Sequence, residues 1–106
     1  MQQYPEAGAP ELRALADDLR SAAGRFVLVA AGGEGPALLV AASRDLAGEG
    51  FDAAAVVREA AHIIGGGGGG RAELAQAGGK DGQRLDEALR EAARLALERL
   101  QRIESS

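Results

Sequence analysis

Apolar and polar positions follow two rhythms along this chain. Leu12, Leu15, Ala16, Leu19, Ala22 and Ala23 recur at i, i+3, i+4 and i+7 spacing. That period predicts an amphipathic helix of about three turns with one face on a core. Pro10 suits its first turn, where a missing N–H costs nothing, and Gly24 suits its end. Residues 26–31 (Phe-Val-Leu-Val-Ala-Ala) and 37–42 (Ala-Leu-Leu-Val-Ala-Ala) are unbroken apolar runs. Such runs predict strands buried on both faces. The turn cluster Gly32-Gly33-Glu34-Gly35-Pro36 between them predicts an antiparallel hairpin.

The second half resumes the helical rhythm. Residues 43–50 read as a polar loop, and Asp52 is placed to accept N–H bonds from the first turn of a helix. That helix spans 53–64, with Val56, Val57, Ala60, Ile63 and Ile64 on a broad apolar face. It stops at six consecutive glycines, residues 65–70. The stretch 71–79 alternates small and polar residues and predicts a short strand at about 73–78. Asp81 or Gly82 opens a last helix. Its apolar face carries Leu85, Ala88, Leu89, Ala92, Ala96, Leu100 and Ile103. Its opposite face carries Arg84, Glu87, Arg90, Glu91, Arg94, Glu98 and Arg102, where i, i+4 pairs add a few tenths of a kcal/mol each. The expected fold is α/β, a single small domain in α-β-β-α-β-α order with a mainly buried sheet flanked by helices. Residues 1–9 read as a loose leader or cut end, and residues 10–106 as the domain.

Composition narrows the chemistry. A chain of 106 residues fits one domain with one modest core. The apolar fraction of 46%, much of it Ala, argues against disorder. Phe26, Phe51 and Tyr4 are the only aromatics, so the core must be aliphatic. The absence of Cys excludes disulfides and thiolate chemistry. A single histidine, His62, excludes a multi-His zinc site within the chain. No cofactor is expected. Asp17-Asp18 and Asp86-Glu87 are adjacent on helices and diverge in direction, so neither forms an acid/base pair. No apolar run approaches the roughly 18 residues of a membrane span and no export leader is visible, so a cytoplasmic location is expected. The net charge of −4 argues mildly against nucleic acid, whose binders usually carry a basic excess.

The glycine run is the one strong local anomaly. A flexible linker is one reading. The residues after it are too few for an independent core, which favours a folded loop that packs back. Such a loop would let the N–H groups of Gly65, Gly66, Gly67, Gly68, Gly69 and Gly70 converge on an anion. The run satisfies G-x-G-x-x-G trivially, but it follows a helix and precedes a strand, the reverse of dinucleotide and Walker loops. Arg71, Gln76 and Lys80 stand close behind it. Arg71 can fork onto a phosphate, Gln76 can bond a base or sugar, and Lys80 offers a point charge. Each also has an ordinary reading: Arg71 solvated, Gln76 satisfying backbone groups, Lys80 pairing with Asp81.

The string Ala-His-Ile-Ile-Gly-Gly-Gly-Gly-Gly-Gly-Arg-Ala-Glu-Leu-Ala-Gln-Ala-Gly-Gly-Lys-Asp over residues 61–81 resembles the signature of the C-terminal, DHH-associated (C-Ala) domain of alanyl-tRNA synthetase. Ala72-Glu73 stands where that family usually has Pro-Asp. The resemblance extends over about 11–100. It takes in the first helix, the hairpin, the Arg44-Asp45-Leu46 loop and the Leu85-Asp86-Glu87-Ala88-Leu89 segment of the closing helix.

The resemblance implies a non-catalytic, tRNA-binding accessory module. It would contact the outer corner of alanine-specific tRNA and link aminoacylation with editing. The implied contacts are Gly65 to Gly70 by their backbone, with Arg71, Gln76, Gly78, Gly79, Lys80 and, more weakly, Arg84. The implied partners are that tRNA and the upstream domains of the synthetase, and the chain would be a fragment or a free-standing relative of that enzyme. DHH phosphoesterases carry a similar domain that helps bind their substrate. They tend to place a histidine directly after the glycines, where Arg71 stands here. A protein–protein module, forming a homodimer or docking on other domains, is the alternative from another class. A nucleotide-binding regulatory domain is a third.

Overall fold

In the computed structural model, residues 2–4, 8–22, 26–33 and 36–105 are described. The elements run β1 (Gln2–Tyr4), α1 (Ala9–Ala22), β2 (Val27–Gly32), β3 (Ala37–Ala42), α2 (Arg44–Gly48), α3 (Ala53–Ala61), β4 (Gly67–Gly70), β5 (Leu74–Gly78) and α4 (Leu85–Ser105). Short 3-10 turns at His62–Ile64 and Gly82–Arg84 follow α3 and precede α4.

The strands form one sheet in the order β1-β2-β3-β5-β4. β1 runs parallel to β2, and the other pairings are antiparallel. The expected hairpin is β2 and β3, in register from Val27 opposite Ala42 to Gly32 opposite Ala37. Its open end is closed by Ser43, a buried residue whose hydroxyl accepts from Phe26 N at 3.2 Å while its own N donates to the Phe26 carbonyl at 3.0 Å.

Both faces of the hairpin are buried, which explains why its strands are written without polar alternation. Val29, Ala31, Leu38, Val40 and Ala42 point into the larger core, with α2, α3 and α4. Leu28, Ala30, Leu39 and Ala41 point to the other face, where Leu12 and Ala16 of α1 cover them. Phe51 is wholly buried in the larger core. α1 opens with half a capping box: the Glu11 carboxylate accepts from Gly8 N at 3.0 Å. Asp52 caps α3 as expected, accepting from Ala54 N at 3.1 Å. Asp81 does the same for the turn that leads into α4, accepting from Gln83 N at 3.1 Å.

The mixed α/β fold and the α-β-β-α-β-α order hold, with three additions. The polar loop expected at 43–50 contains α2, a single turn and a bit that buries Leu46. The leader expected at 1–9 contributes β1 to the sheet and Ala9 to α1. The glycine run, expected as a loop, is largely the strand β4. The Gly24 helix end lies outside the described residues. Among the described residues, no helix is long and apolar enough to cross a membrane.

Candidate nucleic-acid interface

β4 lies at one edge of the sheet, paired only with β5: Gly67 faces Gly78, Gly68 faces Ala77, Gly69 faces Gln76 and Gly70 faces Ala75. Gly65 makes the entry turn in the left-handed region, with φ 65° and ψ 31°, a conformation that glycine adopts at little cost. Gly66 N then donates to the Ala61 carbonyl at 3.1 Å. The chain leaves β4 with Arg71 N donating to the Leu74 carbonyl at 2.8 Å.

This corrects the expected anion-cradling loop. Convergent N–H groups need alternating right- and left-handed backbone. An extended strand sends successive N–H groups to opposite sides instead. Those on the free side of β4 line up along the sheet edge, facing out.

The glycines divide into two sets. A Cβ on Gly66 would stand 1.8 Å from the Gly78 carbonyl oxygen, one on Gly68 2.3 Å from that of Gln76, and one on Gly70 2.5 Å from that of Leu74. These are backbone atoms that cannot move aside, so no side chain fits at any of the three. A Cβ on Gly67 would meet nothing within 4 Å, and one on Gly69 only Arg58 Nη1, at 3.9 Å. One set lets β4 press onto β5, and the other leaves open backbone at the surface. Gly79 belongs with the closed positions, because its Cβ would lie 2.4 Å from the Ile64 carbonyl oxygen.

The polar candidates do not gather at one point. Arg71 is exposed at the Gly70 end of β4, and its Nη1 is 3.8 Å from Glu73 Oε1. Glu73 also reaches Arg44 Nε at 3.6 Å. Gln76 sits in the middle of β5, opposite Gly69, where its Oε1 accepts from Arg13 Nη1 at 2.9 Å. Lys80 is exposed beyond the other end of the hairpin, and the N–H groups of Lys80 and Asp81 both donate to the Ile64 carbonyl, at 2.8 and 3.0 Å. Arg84 is fixed by a forked pair with Glu87, at 2.8 and 3.3 Å. The Arg84 hydrogen bond holds the Glu87 carboxyl below its ordinary range. Arg71 and Lys80 thus lie at opposite ends of the β4–β5 hairpin. His62 is exposed at the end of α3. Among the described residues, no group of acidic residues and His has the arrangement of a metal site.

Two further arginines stand at the glycine strand. Arg13 of α1 reaches β5 at Gln76, and Arg58 of α3 reaches β4 at Gly69. For Arg58 a signal was present. The residues three and four away on its helix are Ala54, Ala55, Ala61 and His62, so no helical carboxylate can neutralise it. For Arg13 the signal was hidden, because Asp17 stands at i+4 and suggests an ordinary surface pair.

The DHHA1 domain family matches residues 2–98 of this chain. An alanine–tRNA ligase of Geobacillus kaustophilus (strain HTA426) is 49% identical over 81 residues, which is 74% of this chain and 9% of that protein. One from Desulforudis audaxviator (strain MP104C) is 48% identical over 92 residues, 85% of this chain and 10% of that protein. The chain therefore spans about a tenth of the length of these relatives. The crystal structure of the C-Ala domain from Aquifex aeolicus alanyl-tRNA synthetase superposes with a TM-score of 0.71 at 36% identity, covering 83% of this chain and 80% of that one. The glycine edge strand and its hairpin thus sit on a shared scaffold, and the chain belongs to the DHHA1 domain family, as a C-Ala domain of the alanyl-tRNA synthetase type.

Proposed function

We propose that this chain is a non-catalytic, tRNA-binding accessory domain that contacts the outer corner of alanine-specific tRNA through the free edge of β4. The observation that carries the reading is the bare edge: Gly67 offers backbone with no Cβ contact within 4 Å, and no side chain of the strand stands in the way. RNA presents phosphate oxygens that accept from N–H groups, and 2′-hydroxyls that pair with both N–H and C=O. A side-chain-free edge lets that bulky backbone come close. Arg71 at the turn of the hairpin, Gln76 in the middle of β5, and Lys80 beyond the open end, with Arg84 in the turn before α4, add polar contacts, and Gly78 and Gly79 lie at that open end, where Gly78 pairs with Gly67.

A net charge of −4 supports a local, weak contact that is auxiliary to stronger binding by upstream domains of a synthetase. Its benefit is effective concentration. A tRNA held at its corner stays near both the aminoacylation and the editing centre when its acceptor end leaves one of them. The setting of such work is the cytoplasm.

The competing protein–protein reading, as a homodimer or docking module, rests on Leu97, a large apolar residue of α4 that is 57% exposed. A single exposed leucine among charged neighbours is ordinary surface, so the tRNA reading is preferred. Filter retention tests it. The wild-type chain retains tRNA at low salt, and Arg71→Ala with Lys80→Ala weakens retention several-fold without changing the melting temperature. Unchanged retention by that double variant contradicts the assigned edge.

A further inference from the structure

We infer that Arg13 and Arg58 form a two-sided arginine clamp on the glycine edge, each taking a phosphodiester of the bound RNA backbone. This rests on the tRNA reading above and adds two binding residues to it. The two arginines come from helices on opposite faces of the sheet, α1 and α3, yet they arrive at one register position. Arg13 Nη1 donates to Gln76 Oε1 at 2.9 Å, and Gln76 is the partner of Gly69 in the β4–β5 ladder. Arg58 Nη1 lies 3.9 Å from the place a Cβ on Gly69 would occupy. A Cβ at Gly69 would be in ordinary van der Waals contact with that nitrogen, so the guanidinium stands directly beside the strand at this position.

Of the described cations that no carboxylate holds, these two are the ones beside the glycine strand. Arg44, Arg71, Arg84, Arg90, Arg94 and Arg102 each hold a carboxylate. Among the described residues, Arg13 and Arg58 form no ion pair. Arg13 is oriented by a neutral amide, which fixes its position and leaves its charge whole. Gln76 is therefore a positioning residue: it aims a guanidinium at the edge without neutralising it. A guanidinium so placed retains free donors of its fork for a phosphate. Lys80 also lacks an ion pair among the described residues, but it stands beyond the end of the hairpin. Arg99 Nε is buried without a hydrogen-bond partner among the described residues, but Arg99 lies on α4 beside Gly50 and Ile103, not at the glycine strand.

The test is the salt dependence of tRNA binding by the full chain. Arg13→Ala and Arg58→Ala each weaken binding about three- to tenfold, and the double variant lowers the slope of log affinity against log salt by about two. Arg13→Lys with Arg58→Lys keeps the slope, because the charges remain. Gln76→Glu lowers the slope by about one, although it removes no cation, because the new carboxylate neutralises Arg13. Arg90→Ala with Arg102→Ala, on the paired face of α4, changes affinity less than twofold. A folded Arg13→Ala/Arg58→Ala chain with an unchanged slope overturns the clamp and leaves the tRNA reading standing. An equal loss in the Arg90/Arg102 control also overturns it, since the effect would then be the general field. Absence of tRNA binding by the wild type at low salt removes the tRNA reading itself, and the clamp with it.

Discussion

Gly68 lies so close to Ala77 that a Cβ on Gly68 would be 2.6 Å from the Ala77 Cβ, as well as 2.3 Å from the Gln76 carbonyl oxygen. A Cβ on its neighbour Gly67 would meet nothing within 4 Å. Two adjacent, chemically identical residues therefore carry opposite constraints. Gly68→Ala forces β4 off β5 and costs about 1–3 kcal/mol or more. Gly67→Ala is stability-neutral or slightly stabilising, because it restricts the unfolded chain and clashes with nothing. Denaturant unfolding of the two variants side by side measures the contrast. Equal destabilisation would show that the glycines matter only through backbone entropy.

Among the described residues of α1, Leu12 is 1% exposed and Leu15 half-buried against the sheet. Leu12→Ala therefore costs about 2–5 kcal/mol, with Leu15→Ala costing less. For a domain of this size each kcal/mol lowers the melting temperature by roughly 4–8 °C. Calorimetry of the two variants checks the ranking. Because Arg13 rides on the same helix, loosening α1 also removes the Arg13–Gln76 contact, so the proposed clamp predicts that Leu12→Ala weakens tRNA binding even below its melting point.

The Glu87–Arg84 pair gives a pH signature. The hydrogen bond from Arg84 lowers the folded-state pKa of Glu87 from its ordinary 4.5. A depressed carboxyl pKa contributes stability that is fully present above the unfolded value and lost as pH falls through the folded one. The stability gap between wild type and Glu87→Gln is thus present at neutral pH and closes as pH drops below about 4.5. Both side chains are well exposed, so the gap is small and shrinks further in high salt. Urea titrations at pH 7 and pH 3 measure it. A gap that is constant over this range would mean that the pair contributes nothing through its charge.

The elements that could be read from sequence are those whose signal is local. The runs at 27–32 and 37–42 announce burial on both faces, and Asp52 announces the start of α3. β1, β4 and α2 carry no such signal. β1 is three residues paired in parallel with a distant strand. α2 is five residues anchored by Leu46. β4 has no side chains, so its strand character comes entirely from β5 and from α3 behind it. The candidate site was legible as a set of residues but not as an arrangement. Spacing in the chain placed Arg71 and Lys80 together, whereas an extended hairpin holds them at its two ends. Arg13 and Gln76, 63 positions apart, meet only through the fold.

The most direct measurement is the change in backbone amide resonances when tRNA is added to the isotope-labelled chain at low salt. The edge account predicts shifts or broadening centred on Gly67, Gly68, Gly69 and Gly70, extending to Arg71, Gln76, Lys80, Arg13 and Arg58, and fading as salt is raised. Perturbations confined to the Arg90, Arg94 and Arg102 face of α4, or none at any salt, would contradict it.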